Sequence, residues 1–524
     1  MRVRQFKDLI LIDNWPGSLA LIVAGVIVSF LLFGFWWPYW RTADMDFWMV
    51  NDGWLVNDGL PQERFEHPGY LSILLLGHWF SLLHRVGLLD VYAVALLPPP
   101  TDAEHAWTAA VRAGRVLSLL LTIAFVLGFG VLLRRLIGDW RVAVLATLAL
   151  AFSGGVAMEA RIIRTELIAG GLVIIALLIL LNAARRPQTP WRPILVGLSA
   201  LLATLGLINK VQLVFLICAL PLILLPFGCR SDDPSAFWRR SRLAFPLGAL
   251  LAVAAVLIAI PAASLAWFGI AHASSDFPKP FVLGTFGIYQ AAIAAWIAVA
   301  MIGFAKVWRV SPAETLAAMS AVLAGVAVGL LSLELRYEPQ NVIIVMNPLE
   351  KLATYASDPA VRQGTLGLAY SLLHGIYTVL TTRTFVLDPS ARPEIFLEWL
   401  VVAAAFLTWR AGNRLLVLQV AVLMCVAWAM DAIYAARSLA LQYFTLTDPL
   451  VIIAAAWLLA KAPALQAHKW AYPIGAALIA AHFVLSQSEP VKHTFQTSKP
   501  LFFCYERANQ PQRVESFSFC PSGA

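Results

Sequence analysis

Apolar stretches long enough to cross a bilayer recur along the whole chain, and nothing else in the sequence limits its fold as tightly. The first, LALIVAGVIVSFLLFGFWWPYW (19–40), sets the pattern. A hydrocarbon core of about 30 Å takes about 17–25 apolar residues as a helix. The runs are continuous, whereas the strands of a membrane barrel alternate apolar and polar residues, so a barrel is excluded. Of 524 residues, 60% are hydrophobic and 13% charged, against about 25% charged in a soluble domain. The expected fold class is an all-α polytopic membrane protein of about thirteen transmembrane helices, with interfacial helices in the first outer loop.

The expected spans are 17–37, 109–132, 142–158, 165–183, 193–209, 212–228, 243–268, 286–305, 312–333, 394–409, 415–432, 449–461 and 470–487. MRVRQFK is basic, but the apolar segment after it is of full span length and lacks a small-residue cleavage site, so no cleavable leader is expected. Arg134, Arg135, Arg141, Arg185, Arg186, Arg192, Arg230, Arg239, Arg240, Arg242, Lys306 and Arg309 all fall on the side of the N-terminus in this topology. An excess of Lys and Arg marks the cytoplasmic side. The expectation is therefore a bacterial inner-membrane protein with a cytoplasmic N-terminus and a periplasmic active face. The net charge of +8 reports this loop bias and not nucleic-acid binding.

The opposite face then carries 38–108, 269–285, 334–393, 433–448 and a tail, 488–524, behind a transmembrane domain of 1–487. Trp36, Trp37, Tyr39 and Trp40 form an interfacial belt there. DMDFWMVNDGWLVND (44–58) mixes acids with large apolar residues, as an amphipathic helix lying in the interface does. HPGYLSILLLGHWFSLLHRVG (67–87) is a second interfacial or re-entrant segment. Cys504 and Cys520 share the tail, where oxidation is permitted, and a disulfide between them is expected. Cys218 and Cys425 lie inside spans as packing residues. There is no Walker A element, no G-x-G-x-x-G and no C-x-x-C.

Six polar groups fall on that outer face. Asp44 and Asp46 follow the first span, with Asp52 further on reading as solvation or a helix cap. Glu66 and His67 precede Pro68, which holds His67 out of helical conformation. Arg161, Arg164 and Glu166 open the fourth span, where an unpaired charge costs about 2.5–3.5 kcal/mol, so Glu166 needs a partner. Lys210 interrupts an apolar stretch between spans five and six. His272, Asp276 and Lys279 share one loop, and Arg437, Tyr443 and Asp448 lead into span twelve. Plain alternatives stand beside each: solvated acids, a salt bridge between helices, a snorkelling lysine, a structural histidine. As a set, the acids suit proton abstraction and the cations suit an anionic lipid phosphate at that depth.

The order of these pieces resembles the GT-C superfamily of polyprenyl-phosphate-sugar-dependent glycosyltransferases, above all the protein O-mannosyltransferases and the lipid A aminoarabinose transferases. The resemblance covers roughly 1–280. It aligns Asp44 with the family's catalytic acid, ERFEHPGYL (63–71) with its second element and Glu66 with its conserved Glu. Lys210 in GLINKVQ falls on a Lys that contacts the lipid phosphate, and Glu166 in RTEL on an acid opening a short span. The sequence departs from the pattern at Met45, between the paired acids, at Phe47, and at His67, where Lys is commoner.

The resemblance implies an inverting transfer of a sugar from a polyprenyl phosphate to a hydroxyl of a lipid, glycan or protein acceptor. It implies Asp44 as base, Asp46 and Glu66 beside it, and Lys210, Lys279, Arg164, Glu166, His67, Arg437 and Tyr443 around the donor. It leaves a divalent metal on Glu66 and His272 open. Two rival readings are a flippase or transporter of lipid-linked glycans and an O-antigen polymerase or ligase. Charges at mid-span on several helices would mark the first, and a large outer loop rich in Arg and His, without the acid after span one, the second.

Overall fold

The computed structural model describes residues 14–60, 69–99, 102–186, 191–210, 212–230, 287–337, 373–377, 395–435, 441–462 and 484–496, with single positions at 474, 477, 480 and 481. The expected span 243–268, most of 470–487 and the Cys504–Cys520 pair lie outside them.

Among the described residues the secondary structure is helical, with no strand. In chain order the helices are α1 (Trp15–Phe33), α2 (Ala43–Asn57), α3 (Tyr70–Arg85), α4 (Ala103–Ile137), α5 (Trp140–Ala151), α6 (Gly154–Glu159), α7 (Glu166–Arg185) and α8 (Arg192–Asn209). There follow α9 (Leu213–Leu224), α10 (Gly287–Trp308), α11 (Pro312–Tyr337), α12 (Ile395–Arg410), α13 (Arg414–Ala435), α14 (Asp448–Lys461) and α15 (Ser488–Phe495). Short 3-10 turns run over Leu225–Phe227 and Leu441–Leu446. Among the described residues six helices are long and apolar enough to cross a membrane: α1, α4, α7, α8, α11 and α13. Their outer faces expose large apolar side chains, such as Leu32 at 60% and Leu323 at 65%, which water would penalise and lipid tails accept.

Helix boundaries follow local chemistry. Asn14 caps α1 through a bond to Gly17 N, with Pro16 in its first turn. Gly138, in the left-handed region at φ 81°, ends α4, and its N–H returns to the Arg134 carbonyl. The segment expected as one span, 142–158, is two helices instead. The chain leaves α5 at Phe152, and Ser153 accepts from Val156 N to start α6 afresh. A capping Ser followed by Gly154 and Gly155 starts a new helix more readily than it continues an old one.

Central α7 packs against α4, α8 and α9, and α8 packs along α11. The α8–α11 crossing rests on small residues: a Cβ on Gly325 would lie 2.2 Å from the Gly197 carbonyl, and one on Gly329 2.8 Å from Thr204 Cγ2. Gly325 and Gly329 form a G-x-x-x-G element, which lets two backbones approach closely in lipid. Beside this bundle, α2, α3 and the start of α4 enclose a second core around Phe47, Trp54, Phe80 and Trp107. Asp52 belongs there, 3% exposed within α2, so its expected role in solvation or capping is corrected. In the register of this helix, position 52 faces the core and not water.

Candidate functional site

The helices alternate in direction, which sorts their ends onto two sides. One side collects basic ends. Arg186 donates to the Arg135 carbonyl (3.1 Å), Lys461 to the Ile137 carbonyl (2.9 Å), and Arg192 pairs with Glu314 (3.1 Å). The other side collects the start of α2, the starts of α3, α4 and α7, the end of α8 and the 441–446 turn, and Asp46, Arg164, Glu166, Lys210 and Tyr443 lie there.

Glu166 is the first residue of α7, where a carboxylate is favoured by the helix N-terminus. Lys210 directly follows α8 and bonds it, Nζ to Oε1 at 2.8 Å. Arg164 adds two longer contacts, Nε to Oε2 and Nη2 to Oε1, both 3.4 Å, and Thr165 Oγ1 donates at 3.2 Å. Glu166 is fully buried and Lys210 3% exposed. The Tyr443 ring lies 5.8 Å from the Lys210 ammonium. The partner that Glu166 requires is thus Lys210 together with Arg164. Four of the expected site residues, Arg164, Glu166, Lys210 and Tyr443, come together.

A hydrogen-bonded neighbour ties this group to the first loop. Asn209 Oδ1 accepts from Ser72 N (3.1 Å) and Ser72 Oγ (3.2 Å), and its Nδ2 donates to the Thr165 carbonyl (2.8 Å). The Asn209 carbonyl accepts from Gly69 N at 3.1 Å. Gly69 adopts φ 50°, a conformation that favours glycine, and is the last residue of the EHPG element. Glu66 and His67 lie outside the described residues.

Asp46 is the second tie. Its Oδ2 accepts from Arg115 Nη2 (2.8 Å), Arg115 Nε (3.2 Å) and the Thr42 hydroxyl, and its Oδ1 accepts from Ile163 N (2.9 Å). Arg115 also donates to the carbonyls of Trp37 (2.8 Å) and Pro38 (3.2 Å). Both side chains are fully buried. With both carboxylate oxygens engaged, Asp46 holds the start of α2 against the turn at 160–165. The side chain of Asp44, in the first turn of that helix, lies outside the described residues, as do Lys279, His272 and Arg437.

Three further groups belong to this end of the bundle and were not singled out from the sequence. Arg115 looks like a second basic residue in an interfacial stretch, WTAAVRAGRV, and nothing local names its partner 69 residues away. Asn209 is a plain polar residue beside Lys210. Glu159 carried a signal, an acid closing the apolar run AFSGGVAME. It is fully buried, its Oε2 accepts from Leu167 N at 3.2 Å, and its Oε1 has no hydrogen-bond partner. Burial, and then the Glu166 carboxylate, raises the Glu159 carboxyl well above the usual carboxylate range.

Among the described residues no three His, Cys, Asp or Glu side chains converge as a metal-ligand set, and the expected pair, Glu66 and His272, is outside them. No protein-family model, curated protein or solved structure matches the chain. The fold and the gathered ends therefore define a class only: a helical membrane-embedded protein with a buried charge cluster where several helices end.

Proposed function

We propose that this protein is an integral membrane glycosyltransferase that moves a sugar from a polyprenyl-phosphate donor to an acceptor hydroxyl, with inversion at the anomeric carbon. One observation carries the reading: the two first-loop elements that resemble GT-C motifs are bonded to the segment holding Glu166 and Lys210. Asp46 binds Ile163 N and Gly69 N binds the Asn209 carbonyl. These contacts support a single site built from Asp44, Glu66, His67, Arg164, Glu166 and Lys210, with Lys279, His272 and Arg437 as further candidates from the resemblance.

In this reading the Asp44 carboxylate takes the proton of the acceptor hydroxyl as its oxygen forms a bond to the anomeric carbon. The bond from that carbon to the phosphate oxygen breaks, and the phosphate leaves with the electron pair. Lys210, moving from Glu166 to the phosphate, and Arg164 stabilise the charge on the leaving group; removing one such contact typically costs about 10²–10³ in rate. Glu166 holds both cations in place before the donor arrives, and Asp46 fixes the helix turn bearing Asp44. A divalent metal on Glu66 and His272 is a further element of the reading, and no step depends on it.

The same reading includes the thirteen-span topology, a cytoplasmic N-terminus and an active face on the periplasmic side of the inner membrane. The position of Asp46, Glu166, Lys210 and Asp448 in first or last helical turns favours chemistry at the bilayer surface over a charge-lined path through its middle. The test is transfer by the purified protein from a panel of polyprenyl-phosphate sugars to envelope acceptors. Asp44→Asn is expected to lose activity by a factor of at least about 10². Wild-type transfer by Asp44→Asn removes the proposed base, and no transfer from any donor by the native protein rejects the reading.

A further inference from the structure

A second feature lies away from this cluster. Helices α8, α9, α10 and α11 surround an apolar cavity of about 530 Å³. That volume falls within the range of about 300–1,000 Å³ usual for small-molecule sites. Its walls are side chains such as Ala200, Thr204, Ile297, Met301 and Val322, and its charged lining residues are Arg192 and Glu314. It follows α8 from Pro193 to Leu207, about 21 Å at about 1.5 Å per residue. Two indole N–H groups pin one wall: Trp296 donates to the Cys218 carbonyl (2.9 Å) and Trp308 to the Leu225 carbonyl (2.8 Å).

The charge is placed at one end. Arg192 and Glu314 pair there at 3.1 Å and neutralise each other. Lys306, in the last turn of α10, and Arg309, just past its end, are both exposed, beside the lining residues Ala305 and Val310. Arg309 is the first residue after α10 and lies outside its helical register. Its backbone, at φ 55°, is in the left-handed region where glycine is the usual residue, and Val310 N returns to the Ala305 carbonyl. Neither cation makes a side-chain ion pair or hydrogen bond among the described residues.

We propose that the cavity holds an acyl chain of an anionic glycerophospholipid from the leaflet at the basic end of the bundle, with its phosphate between Lys306 and Arg309. The apolar walls match a hydrocarbon chain, and the two cations beside them complement a phosphate. The site is distinct from the Glu166–Lys210 cluster and does not depend on the sugar-transfer reading.

Native mass spectrometry of the full-length protein, released from nanodiscs of phosphatidylglycerol or of phosphatidylcholine, tests this. The expected result is a retained phosphatidylglycerol adduct, with retention reduced about fivefold for each cation removed in Lys306→Ala and Arg309→Ala. Filling the cavity with Ala200→Trp is expected to abolish the adduct. Val322→Phe, a smaller filling change on the opposite wall, is the second variant and is expected to weaken it. Size-exclusion profiles confirm that each variant is folded. Equal retention of the two lipids by the native protein, full retention by the double Lys306→Ala/Arg309→Ala variant, or retention by both filled variants each overturns the proposal. So does displacement of the bound lipid by polyprenyl phosphate, which would make the cavity part of the donor site.

Discussion

The Asp46–Arg115 pair offers the sharpest quantitative test of how the site end is held. Asp46 accepts three contacts from Arg115 and Ile163 at 2.8–3.2 Å and one from the Thr42 hydroxyl, with no exposure to water. Removing one partner of a buried pair leaves an uncompensated charge and costs about 3–5 kcal/mol. Asp46→Asn keeps a carbonyl oxygen for Ile163 N, and Arg115 keeps the Trp37 and Pro38 carbonyls, so the cost belongs at the low end, about 3 kcal/mol. Arg115→Met strands a buried carboxylate with only a backbone N–H and a hydroxyl, and belongs near about 5 kcal/mol. In the double variant both charges are gone, so its cost should fall below the sum by at least about 2 kcal/mol. Equilibrium unfolding by SDS in mixed micelles measures all three. A change below about 0.5 kcal/mol for Asp46→Asn, as expected of an exposed pair, or strict additivity of the two changes, refutes the clamp.

Other predictions follow from the same contacts. On the proposed sugar-transfer reading, in which the Lys210 ammonium serves the leaving phosphate, Lys210→Met should lower transfer by about 10²–10³ while the helical circular-dichroism signal is kept; retained activity would assign Lys210 to packing. Gly325→Leu forces a side chain into the Gly197 carbonyl and should destabilise the α8–α11 crossing by about 1–3 kcal/mol, read by the same SDS titration, with Leu330→Ala on that helix as a milder control. The His493 ring lies 5.4 Å from Trp37, tilted by 44°, and its imidazole is lowered to about 4 by burial and then by Arg41 and Lys492. Its folded value lies below the ordinary 6.5, so the stability it contributes is complete above pH 6.5 and is lost as pH falls toward 4. Melting temperature in detergent should drop over that interval, and His493→Gln should flatten the drop.

What the sequence made legible was whatever depends on local pattern. Continuous apolar runs located the helices within a few residues: 193–209 was expected and Arg192–Asn209 is found, and 415–432 was expected within Arg414–Ala435. Aromatic–acid mixing suggested a helix at 44–58, close to the observed Ala43–Asn57, whose described residues 46–56 are buried and not spread along an interface. The cost of a lone buried carboxylate announced that Glu166 needs a partner. What stayed hidden depends on distance in space. Lys210 is 44 residues from Glu166 and Arg115 is 69 from Asp46, and hydropathy carries no information about pairing. Asp52 misled for a related reason. An acid within a polar-looking stretch reads as solvated until a second layer of helices covers it. The break at Ser153 and the G-x-x-x-G of α11 were readable in principle, since both rest on short-range chemistry.

The central claim is that the gathered helix ends perform sugar transfer on the cell envelope. Mass spectrometry of envelope glycans from a deletion strain, compared with the same strain carrying the native chain or Asp44→Asn, tests it directly. The account predicts one sugar substituent lost on deletion, restored by the native chain and not by Asp44→Asn. An unchanged glycan profile in the deletion strain, or full restoration by Asp44→Asn, contradicts it.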